Sequence, residues 1–182
     1  MNTKILKTAV AAAALVCVVG AQAQSKPGAS PVYGELGWAS ITYKESGYKL
    51  QPGMVRAIVG TEVNPNLSVE GMLGFGVSDD TVNIQGVRVT GEINHAWGVF
   101  LKPKASVAPN LELFGRVGYV KTKVTASVPG YAISDTGGDL AYGAGLSYKI
   151  SDSTSLNADY MSYYNKDGVK GTGFTIGLGL RF

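Results

Sequence analysis

The 182-residue chain has a single cysteine and a single histidine, and only 16% of its residues are charged, against about 25% in ordinary soluble domains. One cysteine excludes an internal disulfide and any thiolate-built metal cluster. One histidine excludes a histidine-built metal centre, and no metal or cofactor is expected. The longest apolar run, residues 9–20, has 12 residues, short of the roughly 18 that a spanning helix needs. The formal net charge of +3 comes with no polybasic stripe, so nucleic acid is excluded as a partner. What the chain does have is glycine, 25 residues, about twice the usual share of roughly 7%.

Lys4 and Lys7 precede the apolar run, and Ala21-Gln22-Ala23 follows it. Charged, apolar and small-residue segments in that order make residues 1–23 a secretory signal peptide, with cleavage expected after Ala23. The two lysines leave with it, so basic residues fall from 16 to 14 against 13 acidic ones. Cys17 lies within the apolar run behind Leu15-Val16 rather than behind the small residue that lipid attachment requires. The mature chain is therefore expected to hold no cysteine and to draw its stability from elsewhere.

From residue 32 onward, apolar side chains fall on every second position in stretches of about ten residues, which is strand periodicity. The end of the chain is the clearest case. Phe174, Ile176, Leu178, Leu180 and Phe182 alternate there with Gly173, Thr175, Gly177, Gly179 and Arg181. The pattern predicts eight strands, near 32–43, 54–63, 67–77, 95–105, 111–120, 139–150, 155–164 and 172–182. Short turns at Asn64-Pro65-Asn66, Ala108-Pro109-Asn110 and residues 151–154 alternate with longer connections at 44–53, 78–94, 121–138 and 165–171. Val63-Asn64-Pro65-Asn66-Leu67 returns as Val107-Ala108-Pro109-Asn110-Leu111. Each period holds two strands and one short turn, which is hairpin repetition around a closed sheet rather than a propeller or solenoid.

The ionisable residues within those strands are Glu35, Arg56, Glu62, Glu70, Lys102, Lys104, Glu112, Arg116, Asp139, Lys149, Asp159 and Arg181. All twelve lie opposite the more apolar face of their strand. A soluble barrel would turn them to water. A membrane barrel would pair them in its lumen, and equal numbers of each sign favour the second arrangement. Strand glycines on the same face, Gly60, Gly118 and Gly145 among them, would make room for long charged side chains in a lumen just wide enough to be filled. Trp38, Trp97, Tyr119, Tyr142, Tyr148, Tyr160, Tyr164, Phe174 and Phe182 fall on the opposite, lipid-facing side, many near strand ends, as aromatic girdles do.

With these features the sequence resembles the small outer-membrane barrels of the OmpA, OmpX and opacity-protein type across the whole mature chain. The resemblance rests on the leader, the eight alternating strands, the segment Gly145-Leu146-Ser147-Tyr148-Lys149-Ile150 running into a turn, and the final Gly177-Leu178-Gly179-Leu180-Arg181-Phe182. It implies an all-β, eight-stranded antiparallel up-and-down transmembrane barrel over residues 32–182, behind a signal peptide at 1–23 and a short periplasmic segment at 24–31. It also implies residence in the outer membrane of a Gram-negative bacterium, periplasmic termini and extracellular long loops. Phe174, Ile176, Leu178, Leu180 and Phe182 would form a lipid face and the signal read by the outer-membrane assembly machinery.

Signs of catalysis are sparse. Some small outer-membrane barrels deacylate lipopolysaccharide with a histidine and a serine two residues apart, but Trp97 occupies that place after His95. Asp79, Asp80, Asp135 and Asp139 match no calcium loop. Lys121 and Lys123, with other loop lysines, suggest a rim that meets lipopolysaccharide phosphates. The expected function is that of a non-enzymatic structural or surface-interaction protein whose loops contact an extracellular ligand. The alternative is a small passive pore, with a lipid-modifying enzyme or a soluble periplasmic lipid carrier further behind.

Overall fold

The computed structural model describes residues 31–45, 48–84, 86–166 and 168–182. The expected signal peptide lies outside the described residues. Ten strands follow in chain order: β1 (Val32–Glu45), β2 (Tyr48–Leu50), β3 (Gly53–Asn64), β4 (Leu67–Ser78), β5 (Asp80–Ile84), β6 (Val87–Ala108), β7 (Leu111–Val128), β8 (Tyr131–Lys149), β9 (Thr154–Lys166) and β10 (Val169–Arg181). Eight of them close a ring in the order β1, β3, β4, β6, β7, β8, β9, β10, with β10 returning to β1. Every pairing is antiparallel. The closing seam runs from Tyr33 opposite Arg181 to Lys44 opposite Lys170. Closure removes the unpaired edges that an open sheet would present. The two short strands stand outside the ring, β2 folded onto β1 and β5 onto β6.

The repeated Asn-containing turns have a shared structural task. The carbonyl of Asn66 accepts a hydrogen bond from the Lys104 amide at 2.8 Å, and the carbonyl of Asn110 accepts one from the Lys149 amide at 2.8 Å. The carbonyl of Ser153, in the third turn, accepts from the Arg181 amide at the same distance. Each short turn is thereby tied to the next hairpin, and the Phe182 amide donates to Val32 at 2.9 Å to complete the circle. Orphan backbone groups at this rim are satisfied by the ring itself.

At the opposite rim the structure departs from the pattern expected of the sequence. The connections expected at 78–94, 121–138 and 165–171 are mostly strand, and the one at 44–53 contains β2. β7 and β8 stay in register through Val128 opposite Tyr131 and turn at Pro129-Gly130, where Gly130 has a φ of 84°. That left-handed conformation suits glycine. The strands are hard to see in the sequence because this part stands clear of the apolar belt. Outward positions such as Lys121 and Lys123 are polar, while Thr122, Val124 and Thr125 keep the β-branched character of a strand. The result is a wall formed by β5, β6, β7 and β8 that rises beyond the turn joining β9 to β10.

The polarity of the ring is inverted relative to a soluble domain. Val99, Trp97, Tyr142, Tyr160, Ile176 and Leu178 are each about half exposed on the outside, whereas Arg116, Glu70 and Asp159 are buried within. Aromatic residues on the exterior include Trp38, Tyr119, Tyr148 and Phe174. Tyr164 does not join them. A bulge between Gly171 and Thr172 shifts the register against β9 so that Tyr164 turns toward the space at the long-hairpin rim.

Candidate functional site

The lumen is stratified. Near its middle lies a cluster of three cations, Arg56, Lys102 and Arg116, and three anions, Glu35, Glu70 and Asp159. They come from β3, β6, β7, β1, β4 and β9, so six of the eight ring strands each send one charge to the axis. Arg116 is the hub. Its Nε donates to Glu70 Oε2 at 2.6 Å, its Nη1 to Asp159 Oδ2 at 2.6 Å and its Nη2 to Glu35 Oε2 at 2.7 Å. Lys102 Nζ bridges Glu35 at 2.9 Å and Glu70 at 3.3 Å. Arg56 forks onto the carboxylate of Asp159 and also donates to the Tyr163 hydroxyl at 2.9 Å.

The cluster carries its own lining. The Tyr33 hydroxyl donates to Glu70 Oε1 at 2.7 Å. The Phe114 ring lies 4.4 Å from Lys102 Nζ and 4.6 Å from the Arg116 guanidinium carbon, within cation–π range. Room for these rings comes from glycine. A Cβ at Gly60 would fall 2.5 Å from the Tyr33 ring, and one at Gly145 would fall 2.5 Å from Phe114 Cζ. Ionised groups withdrawn from water need this completeness, because desolvation costs several kcal/mol per ion unless partners satisfy it.

Toward the short-turn rim a second, wetter group forms. Lys104 contacts Glu62 and lies 3.6 Å from Glu112, and Arg181 reaches Glu62 at 2.7 Å from a partly exposed position. Lys149 lines the small recess at this mouth but has no ion-pair partner among the described residues. Asp139 belongs to neither group. It lies at the other end of β8, where one carboxylate oxygen accepts from the amide of Leu140 and the other from that of Asn165 at 2.8 Å. It holds the end of β9 against β8 beyond their last ladder pair, Tyr142 with Ser162. Its strand phase is that of a lumen residue, but its height is not.

Above the central cluster the lumen is apolar, a layer that the sequence pattern does not announce. Ile41, Met54, Met72, Ile93, Val120 and Met161 fill it, all buried, with Phe100 and Tyr163 beside them. The signal for it is the inward-phase Met and Ile on β3, β4 and β9, which is masked when each strand's face is assigned by its charges. Beyond this plug, the long-hairpin wall encloses a vestibule of about 540 Å³.

The other residues singled out from the sequence lie on the outside. Phe174, Ile176, Leu178 and Leu180 are exposed along β10, and Phe182 is half-buried at its end. Lys121 and Lys123 follow Tyr119 along the outward phase of β7, Lys121 exposed and Lys123 half-buried. His95 pairs with Lys123 across the ladder, and Trp97 with Lys121.

A closed antiparallel ring with an oily exterior, an ion-paired axis and aromatic residues around its outer surface is an integral β-barrel of the bacterial outer membrane. The chain belongs to the outer membrane protein beta-barrel domain family, whose model matches residues 9–182. Among solved structures, it is similar to Ail, the attachment invasion locus protein of Yersinia pestis, crystallised with the heparin analogue sucrose octasulfate. That likeness has 25% identity and a TM-score of 0.64, over 85% of this chain and 99% of the other. Neisserial surface protein A shares 14% identity at a TM-score of 0.67, over 83% and 97% of the two chains. The N-terminal barrel domain of Pseudomonas aeruginosa OprF shares 13% at 0.56, over 86% and 100%. The last two likenesses concern the fold alone. No curated protein sequence matches the chain.

Proposed function

We propose that this protein is a non-enzymatic structural and surface-interaction barrel whose projecting hairpins meet anionic partners outside the cell, lipopolysaccharide first among them. The observation that carries the reading is the wall of β5, β6, β7 and β8, which continues as paired strand well past the apolar belt. Small outer-membrane barrels place short turns in the periplasm and long connections outside, which supports an extracellular position for this wall. The axis below it is filled by ion pairs and an apolar plug, which supports a platform rather than a passive pore.

The chemistry of the partner follows from the basic residues. Lys44 sits directly opposite both Lys170 and Lys49 in the ladder, so β10, β1 and β2 present three ammonium groups in a row. Like charges placed directly opposite destabilise a sheet unless an anion meets them. Lys121 and Lys123 make a second basic strip on β7. The sulfated ligand bound by Ail is an anion of the same dense kind, and the phosphates of lipopolysaccharide supply that chemistry in the outer leaflet. The terminal Phe182 and its alternating apolar residues are further proposed to be read by the assembly machinery during insertion.

Association with lipopolysaccharide tests the reading. Lys121→Gln with Lys123→Gln, and separately Lys44→Gln with Lys49→Gln and Lys170→Gln, should weaken association several-fold and flatten its salt dependence. Unchanged binding in both variants would remove the proposal.

A further inference from the structure

The vestibule beyond the apolar plug has a chemistry opposite to that of the rim around it. Four tyrosines line it, Tyr43, Tyr48, Tyr163 and Tyr164, together with the carboxylate of Asp135, which pairs with inward Val124 in the ladder. Glu92, at its edge, pairs with Thr125 on the outward phase. The rest of its lining is largely aliphatic and contains no lysine, arginine or histidine. Among the described residues Asp135 is not within ion-pair distance of a base. The lysines of the rim face outward on the same strands, so the wall separates a positive exterior from a negative, aromatic interior.

Its volume of about 540 Å³ lies within the roughly 300–1,000 Å³ typical of small-molecule sites. Its floor is closed: Pro52 and Tyr163 line its inner side, above Ile41, Met54 and Met161. The side walls are held in place by contacts from several elements. Leu50 of β2 approaches Gly91 of β6 so closely that a Cβ there would lie 2.9 Å from Leu50 Cδ1, and the Tyr164 ring would lie 3.2 Å from a Cβ at Gly137. A concave apolar space with a few convergent polar groups is the usual form of a ligand site.

We infer that this vestibule binds a small organic cation, an alkylammonium or quaternary ammonium compound whose apolar body rests on the aliphatic wall. Tyrosine faces attract such cations through the ring quadrupole, most strongly where water is excluded. The Asp135 carboxylate supplies the countercharge that the lining otherwise lacks. An anionic amphiphile of the same length would meet like charge, and a neutral one would gain only the apolar contact. This site is distinct from the outward lysines, so it stands or falls separately from the lipopolysaccharide reading.

The test uses the full barrel in lipid nanodiscs, titrated calorimetrically with hexyltrimethylammonium, hexanoate and hexanol against empty nanodiscs. The expected result is saturable one-to-one binding of the cation, with hexanoate inert and hexanol at least tenfold weaker. Asp135→Asn should weaken the cation at least tenfold, while Asp135→Glu should keep most of the affinity. Ala126→Trp, which fills the vestibule from β7 above the membrane, should abolish binding while the folded barrel persists. Equal binding of all three probes, or cation binding indifferent to Asp135→Asn or to Ala126→Trp, would overturn the inference.

Discussion

Arg116 on β7 and Glu70 on β4 meet at the barrel axis through two hydrogen bonds, Nε to Oε2 at 2.6 Å and Nη2 to Oε1 at 3.1 Å, with both side chains fully buried. The strands that carry them are separated in the ring by β6, so the pair reaches past an intervening strand within the lumen rather than across a ladder. Removing one partner leaves the other charged and unsolvated. Arg116→Met is expected to destabilise the barrel by about 3–5 kcal/mol, measured by urea unfolding in lipid vesicles. Arg116→Met with Glu70→Gln should cost clearly less than the sum of the single changes, because the pair is removed together. Additive costs would show that the two side chains do not act as a unit.

On the exterior the sign of the effect reverses. Leu178 is about half exposed on β10 between Ile176 and Leu180, and Leu178→Arg would put a guanidinium into hydrocarbon. The expected cost is about 2–4 kcal/mol if the site lies near the midplane, read from the same unfolding transition. The same substitution at Lys121, already polar and at the edge of the belt opposite Trp97, should change stability by less than about 0.5 kcal/mol.

Glycine in the lumen acts as space for a neighbour. Because a side chain at Gly60 would collide with the Tyr33 ring, Gly60→Leu is expected to destabilise by about 1–3 kcal/mol through overpacking. Tyr33→Ala in the same chain should recover part of that loss. No recovery would mean that the glycine serves backbone curvature instead.

Much of this architecture is legible in the sequence, and the reasons are specific. Phe174, Ile176, Leu178 and Leu180 alternate with small residues because one face of β10 meets lipid and the other meets a crowded axis. The ion cluster is readable as well, since charge on the small-residue side of a strand has only the lumen to occupy. Height along the axis is not readable. Phase places Asp139 and Asp159 on the same side of the wall, yet Asp159 joins Arg56 and Arg116 while Asp139 caps the Asn165 amide at the far rim. The apolar plug is hidden for a related reason, because Met54 shares its face with Arg56 and a face labelled by its charge conceals its neighbours. Tyr164 escapes its expected lipid-facing place through the bulge before Thr172, which no period-two pattern can register.

The filled axis also bears on conduction. With Arg116 bonded to three carboxylates and Met54, Met72, Ile93 and Met161 packed above it, the barrel is expected to show no unitary current steps in planar bilayers. Steady openings at neutral pH would contradict the packed lumen.

Hydrocarbon outside this ring and ion pairs inside it form the arrangement on which everything else depends. Single-tryptophan barrels in vesicles of lipid brominated on the acyl chains test it directly. Trp97 is native and exposed on β6, whereas Phe100 on β6 and Phe114 on β7 are buried inward, where tryptophan is the nearest fluorescent replacement. With Trp38 replaced by Phe throughout, and Trp97 also replaced in the inward variants, fluorescence from Trp97 should be strongly quenched. Fluorescence from Phe100→Trp and Phe114→Trp should be nearly untouched. Strong quenching at 100 and 114 with an unquenched Trp97 would contradict the inverted barrel.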